Sequence, residues 1–217
     1  IGSAAALDDA RRRFAPACPP VASVRAMPSA FSREEVPVIE AGPPEPPIAP
    51  GRLTAEAGKC AVEWLKSAVR LTMTGEAAGI VTCPLNKQGI HLAGYNYPGH
   101  TDVISEMTGS ADARMSLFSQ NLRIVHISAH CPLREALDWV CKDRIADTIR
   151  IAHEALLRLE LPQCRIAIAG LNPHAGEETI LGMEEDREIG PAVAQCRSEG
   201  IACSGPYPPD TVFLRAM

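Results

Sequence analysis

The sequence predicts an α/β protein built on parallel strands. Three observations carry that reading. Short apolar, β-branched runs at 79–82, 124–129 and 165–169 each end in a polar turn, as buried strands of a parallel sheet do. Long amphipathic helical patterns accompany them, one over 54–73 before the first run and one over 143–159 between the last two. With 217 residues, 46% of them hydrophobic, the chain can bury one large or two small cores.

In chain order, Ser3 opens a helix to Phe14, with Ala6, Leu7 and Phe14 on its apolar side and Arg11, Arg12 and Arg13 solvated. A strand is expected at 21–27. Residues 28–53 are rich in proline, and Pro43-Pro44-Glu45-Pro46-Pro47 lacks the amide donors of a helix or interior strand, so it reads as an extended surface connection. Thr54 then caps a helix over 54–73 whose apolar face is Ala61, Trp64, Leu65, Ala68 and Leu71. The strand at 79–82 leads to Asn86-Lys87. The ammonium of Lys87, placed at a strand end, is suited to neutralise a phosphate or carboxylate. Pro98-Gly99 marks a turn before His100, and Thr101 stands near the start of a short helix over 101–107, whose free amides favour an anion.

The strand at 124–129 ends on His130, followed by Cys131-Pro132. His126 lies four residues earlier, too far along an extended chain to share a ligand shell with His130, and reads as a core or supporting group. Helices over 133–140 and 143–159 form a crossover. Asp143 caps the second, and Ile145, Ile149, Ala152, Leu156 and Leu159 are its buried stripe, with His153 structural beside it. The strand at 165–169 runs into Gly170-Leu171-Asn172-Pro173-His174-Ala175-Gly176-Glu177, where the chemistry concentrates. A right-handed crossover sets the two histidine-ended strands parallel, so His130 and His174 are expected on one sheet edge, where ligands of open α/β sheets bind. Two neutral imidazoles suit a divalent cation such as zinc, although two ligands alone are too few. Glu177 and Glu178 are candidate acceptors for an imidazole N–H. An acidic helical turn over 184–189, a helix over 191–199 and a strand over 201–204 lead to a Gly205-Pro206 turn. Pro208-Pro209-Asp210 then sets up a helix that 211–217 only begins, so the sequence reads as an incomplete record of a longer enzyme.

A net charge of -5 gives no basic excess for nucleic acid, so a phosphate must be met by a local cluster of donors. The eight cysteines lack paired C-x-x-C spacing, and Cys60, Cys164 and Cys196 lie in apolar runs, a pattern of reduced core thiols that predicts a cytoplasmic protein. No apolar run approaches the roughly 20 residues of a membrane span.

Five phrases resemble segments of the 4-hydroxythreonine-4-phosphate dehydrogenase (PdxA-like) family, which includes D-threonate and D-erythronate 4-phosphate dehydrogenases. They are Ala129-His130-Cys131-Pro132-Leu133-Arg134-Glu135, the histidine octet, Pro98-Gly99-His100-Thr101-Asp102, Thr82-Cys83-Pro84-Leu85-Asn86-Lys87 and Gly205-Pro206-Tyr207-Pro208-Pro209-Asp210-Thr211. The resemblance implies an α/β/α sandwich of the isocitrate and isopropylmalate dehydrogenase type, with two domains (1–95 and 96–217) and an interdomain cleft, incomplete here at both ends. It implies NAD- or NADP-dependent, metal-assisted oxidation, with decarboxylation, of a 4-phosphorylated hydroxy acid such as 4-phosphooxy-L-threonine; D-threonate or D-erythronate 4-phosphate is the alternative. Zinc, magnesium or cobalt would be held by three histidines, two falling on His130 and His174 and the third in a Tyr-His-Asp-Gln-Gly phrase that this sequence does not contain. His100 and Thr101 would contact the substrate, Lys87 would be catalytic, and the protein would be a homodimer with sites at the interface. The residues alone leave open a zinc-dependent hydrolase or lyase and a non-catalytic scaffold. The absence of G-x-G-x-x-G argues against a standard dinucleotide-binding βαβ unit.

Overall fold

A computed structural model describes residues 1–42, 50–110, 112–161 and 164–216. The proline cluster expected as a surface connection lies outside the described residues. The protein is mixed α/β and divides into two compact units, Ile1–Ala113 and Arg114–Met217.

In the first unit α1 (Ala4–Phe14) starts where Ser3 accepts a hydrogen bond from the Ala6 amide. Strand β1 (Val21–Val24) pairs in parallel with β2 (Val36–Ile39). This second strand was not predicted, because Pro37 lies within it and proline marks an edge rather than a centre. Thr54 caps α2 (Ala55–Met73) as expected, accepting from the Ala57 amide. The buried face of α2 is rotated from the predicted one: Gly58, Val62, Leu65 and Val69 point inward, with Cys60 beside them. The cause is α3 (Lys87–Leu92), a helix that the sequence reading missed. It crosses α2 so closely that a Cβ on Gly58 would run into the backbone carbonyl of Gly89. Helix α4 (His100–Thr108) also packs on α2, through a core of Leu65, Val69 and Val103. The strand expected at 79–82 does not form among the described residues; that run has no strand partner, and Val81 is fully exposed at 101%.

In the second unit β4 (Arg123–Val125) is shorter than the predicted strand and pairs antiparallel with β3 (Ser116–Phe118). The Ser119 amide donates to the Leu122 carbonyl at 2.8 Å, closing a hairpin whose short loop costs little entropy. Local closure has won here over the expected parallel partnership of 124–129 with 165–169. Strand β5 (Ile166–Ala169) forms as predicted and pairs in parallel with β6 (Cys203–Tyr207). The expected Gly205-Pro206 turn is instead part of β6: Gly205, at φ +129°, passes against the Ile168 carbonyl where a Cβ would not fit.

Helix α5 (Leu133–Asp138) stops two residues short of its predicted end, and α6 (Lys142–Arg158) begins one residue early. Asp143 is not its cap; the Glu188 carboxylate reaches over to accept the Lys142 amide at 2.7 Å. Ile145, Ile149 and Ala152 of the stripe are buried as predicted, and Ile145 and Ile149 pack in one core with Ala192, Val193 and Cys196 of α7 (Gly190–Ser198), whereas Leu159 is exposed. A wide π-type turn, Glu185–Ile189, leads into α7, and α8 (Val212–Ala216) follows β6. Of the cysteines, Cys60, Cys196 and Cys203 are buried, Cys164 only partly, and among the described residues none is in a disulfide. No described helix is long and apolar enough to cross a membrane.

Candidate functional site

The predicted site residues fall into two groups, one in each unit. In the first unit, Asn86 caps α3 by accepting the Gly89 amide, which presents Lys87 at the exposed first position of that helix. The His100 ring lies 3.1 Å from the Cys83 carbonyl through Nε2, so α4 is tied to the Cys83-to-Lys87 segment. Gly99 precedes α4 with no side-chain cap, and Thr101 is exposed in its first turn. The structure thus joins the histidine–threonine pair to the segment carrying Lys87.

In the second unit both candidate ligands sit just past strands. His130 is exposed and left-handed, at φ +56°. His174 is exposed too, at φ +53°, and opens a run in which Ala175, Gly176, Glu177, Glu178 and Thr179 also have positive φ. Non-glycine residues rarely take this conformation singly, and five in a row with one glycine need outside support. Strain of this kind collects at functional sites. The Asp210 carboxylate, just beyond β6, lies 3.7 Å from His174 Nδ1, an ion pair when the imidazole is protonated. His126 carries a buried Nδ1 with no hydrogen-bond partner, as does His153. Among the described residues no three His, Cys, Asp or Glu side chains gather in a metal-holding arrangement. His130 and His174 by themselves therefore do not make a closed metal centre.

Support for the left-handed turn comes from a residue that the sequence reading passed over. Glu185 is buried, 4% exposed, and its carboxylate accepts from the Leu171 amide (2.8 Å), the Asn172 amide (2.7 Å) and the Asn172 side-chain Nδ2 (2.9 Å). Burial pushes its pKa up, but the Asn172 side chain and the backbone donors outweigh burial and leave it below the usual glutamate value. Glu184 accepts from Asn172 Nδ2 at 2.8 Å and from the Met183 amide, and its pKa is lowered, first by Asn172. One signal pointed to Glu185: it continues the apolar stripe of Ile189, Val193 and Cys196, where a carboxylate must be buried. Glu177 and Glu178, the acidic residues singled out instead, are exposed.

Residues 1–217 match the family model described as pyridoxal phosphate biosynthetic protein PdxA. The chain is 44% identical over 166 residues to a D-threonate 4-phosphate dehydrogenase of Salmonella typhimurium, a match covering 76% of this chain and 51% of that protein. It is 42% identical over 166 residues to a 4-hydroxythreonine-4-phosphate dehydrogenase of Beijerinckia indica, covering 76% and 49%. A crystal structure of 4-hydroxythreonine-4-phosphate dehydrogenase from Klebsiella pneumoniae superposes with a TM-score of 0.85 at 39% identity, over 90% of this chain and 60% of that one. The chain spans about half the length of the curated relatives it matches.

Proposed function

The chain belongs to the PdxA family, and from that premise we propose that it is part of an NAD- or NADP-dependent dehydrogenase of 4-phosphorylated hydroxy acids, with D-threonate 4-phosphate as substrate. The observation that carries this reading is the likeness to D-threonate 4-phosphate dehydrogenases at 43–44% identity. It favours that substrate over the 4-phosphooxy-L-threonine expected first, for which the identity to a named relative is 42%.

In this reading the first unit binds the substrate. Lys87 supplies a point charge to the phosphate or carboxylate, and the His100–Thr101 pair at the start of α4 orients the hydroxy acid. In the second unit His130 and His174 are two imidazole donors for a divalent cation, zinc, magnesium or cobalt, and Asp210 is placed to hold the His174 ring in one orientation. A bound nicotinamide would supply the hydride acceptor for oxidation of the carbinol carbon, and a divalent cation held in part by His130 and His174 would supply a Lewis acid, chemistry that would leave a β-keto acid able to lose carbon dioxide. The proposed architecture is the α/β/α sandwich of the isocitrate and isopropylmalate dehydrogenase type, acting as a homodimer with the cofactor in an interdomain cleft. The test is direct: the intact protein is given D-threonate, D-erythronate and 4-phosphooxy-L-threonine substrates in their 4-phosphate forms, with NAD or NADP and each metal. Reduced-nicotinamide absorbance should rise fastest with D-threonate 4-phosphate; no rise with any of them overturns the reading.

A further inference from the structure

The geometry points to Glu185 as the positioning residue for His174: its buried carboxylate sets the path of the turn on which that imidazole stands. The inference rests on the reading of His174 as a functional group. The three hydrogen bonds accepted by Glu185 converge on the strand-to-turn junction at Leu171 and Asn172, three and two residues before His174. Glu184 takes Asn172 Nδ2 from the other side, so the asparagine amide is held between two carboxylates.

The turn is shaped to let that carboxylate in. A Cβ on Gly170 would stand 3.0 Å from Glu185 Oε1, and one on Gly176 2.9 Å from Oε2. A Cβ on Gly182 would collide with the Asn172 side-chain amide. Three glycines therefore line the same carboxylate cluster, and the left-handed run from His174 to Thr179 lies between two of them. Glu185 itself is fixed from behind. It opens the wide turn into α7, and three residues on Glu188 accepts the amide that begins α6.

A role in core packing alone does not account for this residue. At a position on an apolar stripe a well-packed hydrophobic side chain is commonly as stable as a buried charge, or more so. What an apolar residue could not do is gather three donors from one turn and hold the backbone in a conformation that it avoids.

The experiment uses the intact protein with Glu185→Gln, which keeps the volume but turns one acceptor toward Asn172 into a donor, and Gly182→Ala, which displaces Asn172 from the loop side without touching the core. Read-outs are thermal midpoint, amide hydrogen exchange across 170–179, and kcat and KM with D-threonate 4-phosphate. The expected result for both variants is faster exchange at Leu171 and Asn172, a kcat lower by about 10- to 100-fold, as for other residues that orient a reacting or ligating group, and a nearly unchanged KM. Unchanged exchange with unchanged kcat overturns the inference, as does a kcat loss that merely follows the unfolded fraction. If Glu185→Gln does not fold, Gly182→Ala decides. If the unaltered protein oxidises none of the phosphorylated acids, the functional reading fails, while the exchange arm still decides whether Glu185 sets the turn.

Discussion

At the scale of single residues, His174 occupies a costly place. A left-handed non-glycine residue gives up roughly 1–2 kcal/mol relative to the right-handed form, and the chain accepts this at His130 as well. Because the His174 side chain is 63% exposed, His174→Ala should change stability by no more than about 0.5 kcal/mol. Turnover and divalent-metal affinity should fall steeply in the same variant; calorimetric metal titration beside thermal melts checks both. A melt shifted by many degrees would return His174 to a structural role. The reading of His174 as a functional residue comes from its position after an apolar strand run. Its backbone strain was not legible there, because positive φ at a non-glycine residue is imposed by the surroundings, here by Glu185 and the glycines around it.

At the scale of elements, the capping chemistry was readable and the crossings were not. Ser3 and Thr54 cap their helices as their residue types predict, and Thr54→Ala should cost about 1 kcal/mol in urea unfolding. The start of α6 shows the limit: its cap comes from Glu188, 46 residues away, where no local pattern could announce it. Likewise the rotation of the α2 face depends on α3, brought to α2 by tertiary packing. Gly58→Ala makes a sharp test of that crossing. In an isolated helix the change would stabilise by about 1 kcal/mol. Against the Gly89 backbone it should instead destabilise by about 1–3 kcal/mol, the usual range for overpacking. A gain in stability would show that the helices are not so close. Strand β5 was predicted to within one residue because an apolar β-branched run carries its own signal, whereas β2 and β3 are short, interrupted or exposed and become strands only through their partners.

For the molecule as a whole, the two units carry different pH liabilities. In the second, Glu184 and Glu185 have carboxyl groups held below their ordinary range, so their contribution is fully present above the unfolded glutamate value and is lost as pH falls through the depressed one. In the first, burial and the hydrogen bond to Glu63 push the Tyr95 phenol up to about 12. A raised phenol stabilises below its unfolded pKa and loses that contribution as pH rises from about 10 toward 12. Hydrogen exchange followed along the pH axis should therefore loosen Ile1–Ala113 first in alkali and the 170–179 turn first in acid; the reverse order would refute the assignment. The bare run around Val81 has a practical meaning of its own. A valine wholly in water beside Ile80, in a run with no strand partner, is the kind of apolar segment along which chains stick together. Solutions of this polypeptide should scatter light increasingly as they are concentrated, and Val81→Lys should clear them without moving the melting temperature.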